Sequence, residues 1–139
     1  MRLLETNAGS KMVQGKNLLF YSVCIENEHP DIFKKFSEGR TPLWACLELE
    51  HINMLVYKIA YMLRLDTPPQ SISILTVDGS PHCIQLHYAV EEAKKISGSN
   101  IEVKHFVIYK GEVQEVPSQT VKKSRYLGKF HKTITNYTP

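Results

Sequence analysis

Ser71-Ile72-Ser73-Ile74-Leu75-Thr76-Val77-Asp78-Gly79-Ser80-Pro81-His82-Cys83 reads as a strand, a turn and the opening of a helix. Residues 71–77 are apolar and β-branched enough to fill the middle of a sheet. Asp78-Gly79 breaks the run. Ser80 then stands as an N-cap, followed by Pro81 at a first-turn position where its missing N–H costs nothing. A strand passing straight into a helix is half of a βαβ unit, whose second strand must lie parallel to the first.

Working outward, the helix is predicted over about Pro81 to Ile96, with Lys94 and Lys95 near its negative end and Gly98 as the stop. Ile101 to Tyr109 forms the next strand. Lys110-Gly111 offers a two-residue hairpin into Glu112 to Val116, an antiparallel edge strand. Upstream, Asn17 to Val23 is the first strand, and Asp31 to Ser37 a short helix that Gly39 ends. Thr41-Pro42 reads as a second helix start, with the helix reaching Leu65 before Asp66-Thr67-Pro68-Pro69 terminates it. The order predicts an α/β fold, a three-layer Rossmann-like or flavodoxin-like sandwich with a mainly parallel sheet and a short antiparallel edge strand.

The size agrees with one domain: 139 residues, 42% apolar and 22% charged, an ordinary globular balance. Residues 1–116 are assigned to a single α/β domain and 117–139 to a basic tail. The formal charge of +3 divides unevenly. Residues 1–116 carry 12 basic and 14 acidic side chains, a net −2, whereas the tail adds Lys122, Lys123, Arg125, Lys129 and Lys132 with no acid. Tyr126, Phe130 and Tyr137 are interleaved with these bases, so the tail either packs its aromatics on the domain or a sister subunit, or contacts nucleic acid. The first residues lack an apolar leader pattern, and the apolar stretch Leu43 to Leu65 is interrupted by Glu48, Glu50, His51, Asn53, Lys58 and Arg64. A cytoplasmic protein with no membrane partner is expected.

Three cysteines are too few and too odd in number for a disulfide framework. Cys24 follows the first strand, Cys83 lies in the first turn of the helix after the 71–77 strand, and Cys46 falls in the second turn of the helix expected from Thr41. Strand C-termini and the starts of the following helices share one edge of a parallel sheet, where ligands bind. Thiolates there suit an iron–sulfur cluster, or zinc as the alternative, with Cys24, Cys46 and Cys83 as ligands and His82 beside them. His82, His29, a solvent molecule, a substrate or a second subunit's cysteine would complete the set. A homo-oligomer, a redox partner or a small thiol substrate then become the expected partners.

Other readings of the same residues stand beside this one. Cys46 sits in the apolar run Leu43-Trp44-Ala45-Cys46-Leu47 and suits a core filler. Cys83 and His87, at i and i+4, share a helix face that could ligate a divalent metal. Cys83 could instead be a nucleophile in a thiol-dependent enzyme, activated by the helix start and by His82 or His29. A non-enzymatic domain using its basic tail is the third reading. Asp78 is a candidate metal or catalytic carboxylate but equally a turn residue. Phosphate cradles are excluded: Pro30 stands where a Cys-x5-Arg loop needs arginine, and glycines at 9, 15, 39, 79, 98, 111 and 128 make no dinucleotide or nucleotide loop.

Cys24 after one strand and Ser80-Pro81-His82-Cys83 after a later one resemble the small flavodoxin-like iron–sulfur subunits of nickel–iron hydrogenases and of NADH-quinone oxidoreductase. The resemblance spans about Leu18 to Ile96. It implies a cluster at the strand-end edge with Cys24, Cys46 and Cys83 as ligands. The chain departs from that pattern in lacking adjacent or glycine-flanked cysteines in the first loop, and in placing Pro81 before Cys83 where the family has proline after cysteine.

Overall fold

A computed structural model describes residues 1–135. Its sheet has strands β1 (Asn17–Ser22), β2 (Thr41–Ala45), β3 (Ser71–Val77), β4 (Glu102–Tyr109) and β5 (Glu112–Val116) in the order β2-β1-β3-β4-β5. The first four are parallel to their neighbours and β5 is antiparallel to β4. β1 and β3 are buried along almost their whole length, because a strand in the middle of a covered parallel sheet has no solvent face. The hairpin turns through Lys110 and Gly111, both with positive φ, the backbone a two-residue turn requires between right-twisted strands.

The sheet separates two apolar layers. Leu18, Phe20, Leu43, Ile72 and Ile74 pack against α3 (Ile52–Leu63) and α4 (Ile84–Ser97) on one face. Leu19, Tyr21, Leu75 and Ile108 meet Phe33 and Phe36 of α2 (Pro30–Ser37) on the other, with α1 (Ile25–Glu28) just before it. This is the expected three-layer α/β sandwich with its antiparallel edge.

One expectation is overturned. Thr41-Pro42 does not open a helix; it begins β2, and the following helix starts only at Ile52, capped by His51, whose ring accepts from the Asn53 amide. Proline is tolerated in β2 because this is an outer strand of the sheet, with β1 alone as its ladder partner. The other flank of β2 is covered locally: the Trp44 amide donates to the Met1 carbonyl, and Arg2 bridges Trp44. That contact shields part of an edge that would otherwise be open to pairing.

The chain folds back after β5. α5 (Ser118–Lys123) buries Val121, while α6 (Leu127–Thr135) leaves Leu127, Phe130 and Ile134 exposed. The basic segment therefore carries helices, and the Tyr88 and Ser124 hydroxyls join α4 to the end of α5. Tyr137 lies outside the described residues. No described helix is long and apolar enough to cross a membrane.

Candidate functional site

The connections run from β1 outward to β2, back across β1 to β3, and on to β4, so the strand order reverses between β1 and β3. Open α/β sheets leave a crevice at such a reversal, beyond the strand C-termini. Cys24 lies two residues past β1, Cys46 immediately past β2, and Cys83 at the N-cap of α4 in the loop from β3. The shift of Cys46 from helix to strand end corrects its expected place, and it now follows a strand as Cys24 and Cys83 do. Three adjacent strands thus each deliver one free cysteine to the same edge.

Local bonds hold these loops. Glu50 is buried and bridges two elements, accepting from the Cys46 amide at 2.7 Å and from Arg2 Nε at 2.8 Å. The Ser80 hydroxyl accepts from the Cys83 amide at 3.1 Å and so caps the turn ahead of the helix, whose own N-cap is Cys83 and whose first residue is Ile84 in place of the expected Pro81. The Cys24 thiol is pushed up from its ordinary pKa by desolvation, then by Glu28 and by negative charge on Cys46 and Cys83. Cys24 is therefore protonated more readily than a free thiol, unlike an activated nucleophile. Ser22, which ends β1 opposite Ala45, keeps a buried hydroxyl without a hydrogen-bond partner at this edge.

Among the described residues no three His, Cys, Asp or Glu side chains form a set that could hold a metal ion. Cys24, Cys46, Cys83 and half-buried His82 therefore share an edge without forming a preassembled single-ion cage. The paired Cys83–His87 ligation expected from i, i+4 spacing does not form. Both His87 nitrogens are committed elsewhere: Nε2 lies 2.8 Å from Thr76 Oγ1, and Nδ1 lies 2.8 Å from His105 Nδ1.

These contacts belong to a buried column that spacing alone did not reveal. His105 Nε2 lies 2.8 Å from Glu91 Oε2, which also accepts from Ser118 Oγ at 3.1 Å. His87 is 2% exposed and His105 fully buried. Burial pushes the His87 pKa down to about 3, with a smaller push from His105. His105 is lowered as well, burial outweighing the upward pull of Glu91. Burial favours the neutral form of both rings, and their hydrogen-bond partners then set the tautomers. A carboxylate only accepts, so His105 donates from Nε2 and accepts at Nδ1. His87 must then donate from Nδ1 and accept at Nε2, and Thr76 must donate to it. The available signals were weak: His87 and Glu91 are four apart on α4, and His105 occupies a buried position of β4.

Above this column a cavity of about 350 Å³ opens at the end of β3, lined by Thr76 and His87 and by Asp78, Ile84, Val107 and Val121 among others. Its volume falls within the usual range for small-molecule sites. No curated protein and no solved structure matches the chain, so no relative among hydrogenase or NADH-quinone oxidoreductase subunits is shown. A family model described as a Rossmann-like domain matches residues 10–136, from before β1 to beyond α6. By fold, strand order and this near-complete match, the chain belongs to the Rossmann-like domain family.

Proposed function

We propose that the protein binds an iron–sulfur cluster through Cys24, Cys46 and Cys83, with His82 adjacent, at the edge where the strand order reverses. The observation that carries this reading is that the segments leaving the C-terminal ends of three neighbouring strands each carry one free cysteine. The unpartnered Ser22 hydroxyl at the same edge supports it, as a donor able to bond a cluster sulfide or a solvent ligand.

The donor chemistry favours a cluster over zinc. Four donors at ~2.3 Å around one tetrahedral ion stand only about 3.8 Å apart. A cluster distributes its ligands around several metal atoms and accepts more widely spaced thiolates. The raised Cys24 thiol is a poor nucleophile, and a metal would have to displace its proton to bind it. A bound cluster would supply a redox couple, its potential tuned by hydrogen bonds and solvent access at this edge.

Anaerobic purification followed by absorption spectroscopy and iron and sulfide analysis tests the proposal. A brown protein with iron and acid-labile sulfide in stoichiometric amount is expected. A folded, colourless protein that takes up neither after anaerobic reconstitution overturns it. Under that outcome, Cys83 alkylation much faster than that of an ordinary exposed thiol would point instead to thiol catalysis.

A further inference from the structure

We infer that α6 is a peripheral membrane anchor, which lays the apolar stripe Leu127, Phe130 and Ile134 into an anionic phospholipid surface while the surrounding lysines hold it to the headgroups. The inference is independent of any cluster. The three residues stand at i, i+3 and i+7, so they share one face of the helix, and they are 78%, 57% and 50% exposed. Lys129 and Lys132 fall on the other face. A helix divided in this way, Leu, Phe and Ile against Lys, is the kind that settles in the plane of a bilayer interface. An α-helix with its side chains is about 10 Å across, so even a lysine on the far face stays within about one Debye length of the headgroups.

The fold leaves this stripe open. All nine residues of α6 are exposed, whereas α5 is tied to the domain by buried Val121 and by the bond between the Ser124 and Tyr88 hydroxyls. The helix therefore departs from a fixed point and can meet a flat surface without displacing any packed element. The contact is peripheral: nine residues rise only about 13.5 Å, well short of the hydrocarbon core. The finding that no described helix can cross a membrane is unaffected.

Charge selects the occupant. No acidic residue occurs from 117 to 139, while residues 1–116 are net negative, so the attraction is confined to this end of the molecule. Among the described residues Lys122, Lys123, Lys129 and Lys132 enter no ion pair, and only Arg125 of this segment does, 3.7 Å from Glu92. Tyr126 holds Lys129 at 4.9 Å and Arg125 at 5.5 Å over its ring, an aromatic with a polar tip beside basic groups, as suits the headgroup level. Nucleic acid would use the lysines but leave Leu127 and Ile134 in water, since neither can stack on a base or donate to a phosphate. A protein groove would bury the stripe but would need acids matched to cations spread over two helices. An anionic leaflet meets both demands, with an apolar interior and negative charge distributed over its whole surface.

Sedimentation of the full chain with phosphatidylcholine vesicles, pure or containing about 30% phosphatidylserine, tests this. Binding at least about tenfold tighter to the anionic vesicles is expected, weakening as salt rises. The double variant Phe130→Gln, Ile134→Gln should lose at least about tenfold in that binding, and Lys129→Gln with Lys132→Gln should lose most of the preference for anionic lipid. All four positions are exposed, so circular dichroism and urea midpoints should stay those of the parent. Phe130→Trp reads insertion directly: brominated lipid should quench its added emission, while the parent, whose one tryptophan is Trp44, stays unquenched. Failure to bind, equal binding to both vesicles, an unquenched tryptophan at 130, or unchanged binding by the Phe130→Gln, Ile134→Gln variant overturns the inference. So does a lipid-free dimer that this variant dissociates, which would seat a second copy on the stripe.

Discussion

The cysteine edge and the histidine column meet on one helix and differ in how their polar groups are satisfied. Cys83, His87 and Glu91 are spaced four apart on α4, yet Cys83 opens the helix at the strand-end edge while His87 and Glu91 turn to β3 and β4. The thiols come from three loops and remain free, with an unpartnered serine hydroxyl nearby. In the column every ring nitrogen has a partner at 2.8 Å. Unclosed donors favour an external ligand, whereas a closed network stabilises the fold and gives its protons one direction.

The largest expected effect separates the two regions outright. Cys24→Ser or Cys46→Ser should lower iron and sulfide content at least about tenfold after anaerobic reconstitution, whereas Thr76→Val should leave it unchanged. Equal iron content in all three variants would remove the cysteines' claim to the metal.

Acid comes next and strikes the column. Both histidines have depressed pKa values in the folded chain, so below about 6.5 the unfolded chain binds protons that the native one refuses. Stability should be complete above that pH and fall by up to about 1.4 kcal/mol per pH unit per histidine as pH drops toward the low His87 value. Urea midpoints between pH 7.5 and 5 measure this. A flat profile would mean that the rings are charged or exposed.

Single contacts follow. His105→Leu leaves His87 Nδ1 without its acceptor and should cost about 2–3 kcal/mol in urea unfolding. Glu50→Ala, which frees the Cys46 amide and Arg2, should cost about 1–2 kcal/mol and speed Cys46 alkylation by loosening its loop. If the first costs less than the second, the closed column is not the more stabilising region. The smallest effect lies away from both: Lys110→Asn should stabilise the hairpin by about 0.5 kcal/mol, because asparagine tolerates the positive φ found there.

Much of the fold could be read in short windows. The 71–77 strand, the Gly98 stop and the Lys110-Gly111 turn are local decisions, and each is met in the structure. Thr41-Pro42 misled because threonine before proline satisfies a helix start and an outer strand equally, and only the position of β2 at the sheet margin separates them. The cysteine edge was legible as strand-to-loop spacing. The column was not, since His87 and His105 are far apart in sequence and each, alone, resembles an ordinary surface or core histidine.

The amino-acid sequence by itself determined a single α/β domain, its succession of strands and helices, and a cysteine shortly after each of two central strands. Those properties follow from hydrophobic period, caps and turns, which act within a few residues. Tertiary structure alone decided that Cys46 reaches that edge from the end of a strand and not from a helix, and that Thr76, His87, His105 and Glu91 form one hydrogen-bonded chain. The reason is the crossover. Pairing β3 with β1 on one side and β4 on the other brings together side chains that no local preference could align, and each buried ring nitrogen is left with one partner.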